Sequence, residues 1–167
     1  MWDLPLRVTH WALALAITVA YFTANVLDIA HTVAGYLALG LVAFRIAWGF
    51  TGTHYSRFST SVRLPAAVLR YLRSLLHGRP GRYLGLNPAG ATMLIAMLAL
   101  AAVSTISGWM QVTVRFFGVW WVEAIHTWSS HLVAALAVVH VLAVVAVSIL
   151  QSENLVRAMI TGRKRER

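Results

Sequence analysis

Between Ala124 and Leu150 the chain carries no acid, lysine or arginine; the titratable groups there are His126, His131 and His140. A run so long and apolar suits the hydrocarbon core of a membrane. In that core every backbone N–H and C=O must be satisfied within the segment, which makes the segment a helix. Three further runs, at about 6–24, 26–50 and 89–112, join the one at 122–150, and each has the length of about 20 residues that a ~30 Å core requires. The expected fold is an all-α membrane protein, a four-transmembrane-helix bundle. Composition agrees: 59% of the 167 residues are hydrophobic and 11% are charged, against about 25% charged in soluble domains. The length suits a single domain over 1–167. Asp3, ahead of the first apolar run, argues against a cleavable signal peptide.

The chain has no cysteine. Disulfides, covalent haem attachment, thiolate-held iron–sulfur clusters and cysteine zinc sites are therefore excluded. The formal net charge of +9 reads as the cytoplasmic flanks of a membrane protein, and no nucleic-acid partner is expected. Arg7, the connection over 51–87 (Arg57, Arg63, Arg70, Arg73, Arg79, Arg82) and the tail over 151–167 (Arg157, Arg163, Lys164, Arg165, Arg167) hold twelve of the fourteen basic residues. The positive-inside rule then places both termini in the cytoplasm, on the inner side of a bacterial cytoplasmic membrane. The short first connection makes the first two helices an antiparallel hairpin. Within the basic connection, Pro65 to Leu76 reads as a short amphipathic helix, either solvated or lying on the inner membrane surface.

Four histidines fall inside the apolar runs: His10, His31, His126 and His140. His126 and His140 are fourteen residues apart. At ~100° and ~1.5 Å per residue, both rings leave one helix face about 21 Å apart along the axis. In the expected topology His10 matches His140 in depth near the inner side, and His31 matches His126 near the outer side. Each pair takes one ring from the last helix and one from the first hairpin, an arrangement that clamps a porphyrin between helices with an imidazole on each axial position of its iron. Zinc fits less well, since it asks for three or four ligands at one level and each level offers two histidines. The expectation is two non-covalent, bis-histidine b haems, one on His10 and His140 and one on His31 and His126. His131 is ~140° round the helix from His126 and reads as a helix-interface or partner-facing residue. His54 and His77 read as surface histidines. Arg45 shares the face of His31 at the inner depth, where its guanidinium would pair with the propionates of the inner haem or snorkel to headgroups. Gly35, one turn beyond His31, leaves room for a flat ring or for helix packing.

These residues carry a family resemblance. Arg7-x-x-His10-Trp11, His31-x-x-x-Gly35 with Arg45 downstream, and His126 with His140 on the last helix resemble the bacterial cytochrome b561 and nickel–iron hydrogenase b-type cytochrome family. So does the tail Glu153-Asn154-Leu155-Val156-Arg157-Ala158-Met159. The resemblance spans nearly the whole chain. It implies a four-helix membrane protein with two b haems on the same four histidines, passing electrons between quinones and redox partners. Thr127 departs from the family's common His-Glu, which removes one acidic group from the outer side.

The function expected is that of a di-haem cytochrome carrying electrons across the membrane in respiratory electron transport, an oxidoreductase-type electron carrier with no catalytic residue singled out; a quinone-linked oxidoreductase is the enzyme reading left open. The protein would supply placement and axial chemistry, and the cofactor the redox step. The partners expected are the lipid bilayer, a quinone or quinol, and a periplasmic or membrane redox subunit. Candidate quinone contacts are His54, Tyr55 and Arg57 on the inner side, or Trp120, Trp121 and Glu123 on the outer. Two alternatives stand: a haem-bearing anchor of a hydrogenase or dehydrogenase complex, and a small transporter using the histidines as a proton relay.

Overall fold

The computed structural model describes residues 2–61, 64–78, 81, 83 and 85–163. Arg63, Arg79, Arg82, Lys164, Arg165 and Arg167 of the basic count lie outside the described residues. The described residues are helical and contain no strand: α1 (Leu4–Thr23), α2 (Asp28–Thr51), α3 (Phe58–Ser61), α4 (Pro65–Leu76), α5 (Pro88–Gln111), α6 (Trp120–Leu150) and α7 (Leu155–Thr161). Four of them, α1, α2, α5 and α6, are long and apolar enough to cross a membrane. The chain is thus a multi-pass membrane protein of the four-helix-bundle class. Between 11 and 28% of the residues in the most apolar stretch of each span are buried, a low share that suits a chain whose solvent is lipid. At ~1.5 Å per residue the 31 residues of α6 exceed a ~30 Å core, so α6 tilts or extends beyond it.

The helix limits differ slightly from those expected, for local reasons. α1 starts at Leu4 rather than near residue 6 because the Asp3 carboxylate accepts the Leu6 N–H at 2.8 Å, an N-cap placed on the positive end of the helix. α2 starts at Asp28 rather than near residue 26. Val26 and Leu27 both donate to the Thr23 carbonyl, at 3.1 and 3.0 Å, and so close the hairpin turn first. The amphipathic segment occupies Pro65–Leu76 as the periodicity suggests, with proline in its first turn. The tail helix α7 has no long apolar signature. It is delimited by Asn154, whose side chain accepts the Arg157 N–H at 2.8 Å, and by Gly162 in the left-handed region at φ 78°.

Contacts divide the chain into two compact units. The first comprises Met1–Arg7, Ala47–Ala96 and Val138–Arg167; the second comprises Val8–Ile46 and Met97–Ala137. In the second unit the buried positions are mostly small: Thr9, Ala16, Ala34, Ala38, Ala101, Ser107 and Ser129. Lipid removes the hydrophobic drive between helices, so close backbone approach through small side chains and interhelical hydrogen bonds must hold them. Ser104 and Ser130 supply one such bond at 2.7 Å between α5 and α6. The Tyr21 hydroxyl and His131 Nδ1 supply another at 2.9 Å between α1 and α6.

The first unit is organised on Asp3. Its carboxylate accepts from Thr53 Oγ1 at 2.5 Å, Ser56 Oγ at 2.6 Å and Trp48 Nε1 at 3.2 Å, joining the start of α1 to the end of α2 and the turn after it. Partial burial pushes the Asp3 pKa up. The bonds from Ser56, Thr53, Leu6 and Trp48 outweigh that and hold it below its ordinary 3.8. The tail packs here too. Trp2 N–H donates to the Gly162 carbonyl at 3.2 Å, and the Arg7 guanidinium donates to the Ile160 carbonyl, a cation at the C-terminal end of α7.

Candidate cofactor site

Two of the four intramembrane histidines meet inside the second unit. The rings of His31 on α2 and His126 on α6 have centroids 6.0 Å apart and planes at 84°. Each ring is held by a backbone carbonyl of another helix. His31 Nδ1 lies 2.8 Å from the Ala20 oxygen of α1, and His126 Nδ1 lies 2.8 Å from the Ser104 oxygen of α5. A carbonyl only accepts, so in both rings Nδ1 carries the proton, and Nε2 is the nitrogen with a lone pair to give when the ring is neutral. That is the tautomer a metal-binding imidazole needs, and a carbonyl behind the ring is its usual support.

Two imidazoles on opposite sides of one metal ion would have centroids about 6 Å apart, from two metal–nitrogen bonds of ~2 Å and two ring offsets of ~1.1 Å. The observed spacing fits that sum. Among the described residues no group of three or more His, Cys, Asp or Glu is placed to hold a metal ion. A pair of this kind suits a cofactor that brings its own equatorial nitrogens better than it suits a bare ion.

Two glycines shape the surroundings. A Cβ on Gly108 of α5 would lie 2.9 Å from His126 Cε1 and 3.1 Å from its Nδ1. The missing side chain is therefore what lets the ring reach the Ser104 carbonyl one turn earlier. A Cβ on Gly35, one turn beyond His31, would meet nothing within 4 Å, so the face of α2 beside that ring is open to a flat group.

The remaining site residues stand as follows. His10 is half-buried in the second unit, its ring edge-on to Trp11 at 5.3 Å. His140 is half-buried in the first unit. Arg45 is 6% exposed in the second unit, an ionised group whose burial requires anionic or carbonyl company. His131 takes the interface role through Tyr21. Among the quinone candidates, His54 and Tyr55 rings are in edge contact at 5.2 Å, Arg57 Nε donates to the Gly52 carbonyl at 2.7 Å, and Trp121 packs edge-on against Phe116 at 6.0 Å. Sequence reasoning missed Ala20, Ser104 and Gly108. A backbone acceptor leaves no mark on residue type, and the one available signal was the small-x-x-x-small pair Ser104 and Gly108.

Comparison with known proteins supplies the relatives. No solved structure gives a significant match. Three curated proteins, each named a probable Ni/Fe-hydrogenase B-type cytochrome subunit, align over nearly the whole chain. The one from Cupriavidus necator is 29% identical over 97% of this chain and 85% of its own length. That from Azotobacter vinelandii is 28% identical over 97% and 86%, and that from Bradyrhizobium diazoefficiens 25% over 100% and 86%. The family model for prokaryotic cytochrome b561 matches residues 1–162. With four spans and an imidazole pair aimed by two backbone carbonyls, the chain belongs to the prokaryotic cytochrome b561 family.

Proposed function

We propose that the protein is a di-haem b-type cytochrome of the bacterial cytoplasmic membrane, carrying electrons between a quinone pool and a redox partner. The observation that carries this reading is the His31–His126 pair, with its 6.0 Å centroid spacing and both Nδ1 atoms committed to carbonyls. When bound there, haem b would supply a one-electron redox centre. Two imidazoles on one iron leave no open position, which suits electron transfer and disfavours oxygen binding. His31 and His126 would hold the iron, Gly35 would leave room for the macrocycle, and Gly108 would let His126 take its place.

For a second haem the support is sequence order: His10 and His140 both lie in the inner halves of their apolar runs, four and ten residues from the inner ends. Arg45 would neutralise propionate charge, its burial being tolerable beside an anion. The basic connection and tail favour both termini on the cytoplasmic side. The names of the curated relatives favour one particular partner, a hydrogenase, for which this chain would serve as the membrane cytochrome.

The test is a dithionite-reduced minus oxidised spectrum with haem counted per chain, for the parent protein and four single variants. His31→Ala and His126→Ala are expected to lose the same haem, and His10→Ala and His140→Ala the other. If His31→Ala and His126→Ala bleach different centres, the pairing is wrong; a colourless parent protein would leave the transporter reading. Co-purification of a cofactor-bearing outer subunit would favour the hydrogenase assignment over a free-standing quinol-linked cytochrome.

A further inference from the structure

The helix α4 divides its surface three ways. At ~100° per residue, with Tyr71 taken as zero, Val68, Ser74 and Leu75 fall within about 60° of it. Tyr71 is 4% exposed and those neighbours are half-buried, so this face seats the helix in the first unit. Leu69, Leu72 and Leu76 fall about 100–160° to one side, and they are 52, 41 and 85% exposed. Arg70 and Arg73 fall about 100–160° to the other side, and both are exposed. The leucine stripe and the arginine stripe are therefore about 100° apart, with the protein behind both.

Something apolar must cover three exposed leucines in a row, and something anionic must face the arginines. The residues of α4 share a compact unit with Ala47–Thr51, Pro88–Ala96 and Val138–Leu150, which are the end segments of three of the four spans. A bilayer surface is thus the apolar phase at hand. The connection over 51–87 contains six arginines and no aspartate or glutamate, so its charge is complementary to an anionic layer. We propose that α4 lies in the headgroup region of an anionic phospholipid leaflet. Leu69, Leu72 and Leu76 enter the acyl boundary, and the guanidinium groups of Arg70 and Arg73 bind headgroup phosphates. A helix that presents leucines and arginines on adjoining faces has the form that interfacial binding requires. This surface is independent of the haem assignment.

The chain has no cysteine, so single nitroxide labels can be placed without background. The full-length protein would carry a label at Leu72→Cys or at Ala66→Cys, the latter an exposed position on the arginine side. Labelled protein would be set in nanodiscs of phosphatidylcholine with or without phosphatidylglycerol, with haem content and helicity confirming the fold. The expected result is that the label at 72 is relaxed by oxygen dissolved in the bilayer and shielded from an aqueous nickel chelate, and that the label at 66 shows the reverse. With Arg70→Gln and Arg73→Gln, preference for spin-labelled phosphatidylglycerol over phosphatidylcholine is expected to fall, by about fivefold per arginine at low salt. Equal access of the nickel chelate to both labels would overturn the proposal, as would nickel shielding at 72 only when a soluble partner protein is added. An unchanged lipid preference in the glutamine variant would overturn the phosphate contact.

Discussion

Replacing Gly108 by alanine tests how His126 is aimed. The added Cβ would stand 2.9 Å from Cε1 of the ring, where ordinary contact begins at 3.4 Å. The ring must therefore retreat by at least the difference, about 0.5 Å, away from α5. Its hydrogen bond to Ser104 runs to the same helix, so a 2.8 Å bond lengthens to about 3.3 Å, past the useful range for N–H···O. Loss of one such bond costs about 1 kcal/mol. Disturbing the group behind a metal-ligating histidine typically costs 10–100-fold in affinity. If His126 ligates a haem as proposed, Gly108→Ala should accordingly weaken retention of that haem by roughly tenfold, read as haem per chain after dilution into apomyoglobin as a scavenger. Gly40→Ala is the matched control, because a Cβ there meets nothing within 4 Å. If Gly108→Ala retains both haems with parental kinetics and an unchanged low-spin spectrum, the reasoning from Gly108 through Ser104 to His126 fails.

Three further outcomes are expected. Tyr21→Phe removes the 2.9 Å bond to His131 and should lower thermal or denaturant stability by about 0.6–1.7 kcal/mol while leaving the haem content intact; loss of a haem would make His131 more than an interface residue. Asp3→Asn should cost about 1–2 kcal/mol, discounted for the solvent reaching a half-buried carboxylate, and should speed proteolysis of the first unit. Because the folded Asp3 pKa lies below 3.8, its contribution is present above that value and lost as pH falls through the lower folded value; parent and variant should therefore differ at pH 6 and converge in strong acid, and a constant difference across that range would refute the linkage. Arg45→Gln should lower the midpoint potential of one haem by on the order of 50 mV, since a cation ~10 Å away in an effective dielectric of ~20 favours the reduced state; a redox titration showing a rise or no change would remove Arg45 from the propionate role.

The four spans could be read from the chain because lipid permits so few backbone solutions to an apolar run. The same holds for α4, whose leucines and arginines declare a helical period within a polar stretch. The nearness of His31 and His126 was legible as matched depth, since a helix converts residue number into height. What held those rings was not legible. Ala20 and Ser104 act through their carbonyl oxygens, and any residue type would present the same atom. The Asp3 network was equally hidden, because Trp48, Thr53 and Ser56 lie some fifty residues away in sequence and only tertiary folding gathers them. The tail helix α7 has only seven residues and a short cap signature, too little periodicity to announce itself beside a 31-residue neighbour.

Because the anchors of His31 and His126 are main-chain atoms of α1 and α5, no substitution at Ala20 or Ser104 can delete them. Such a clamp tolerates drift in the side chains around it, provided that the helices keep their rotation and the gap at Gly108 stays open.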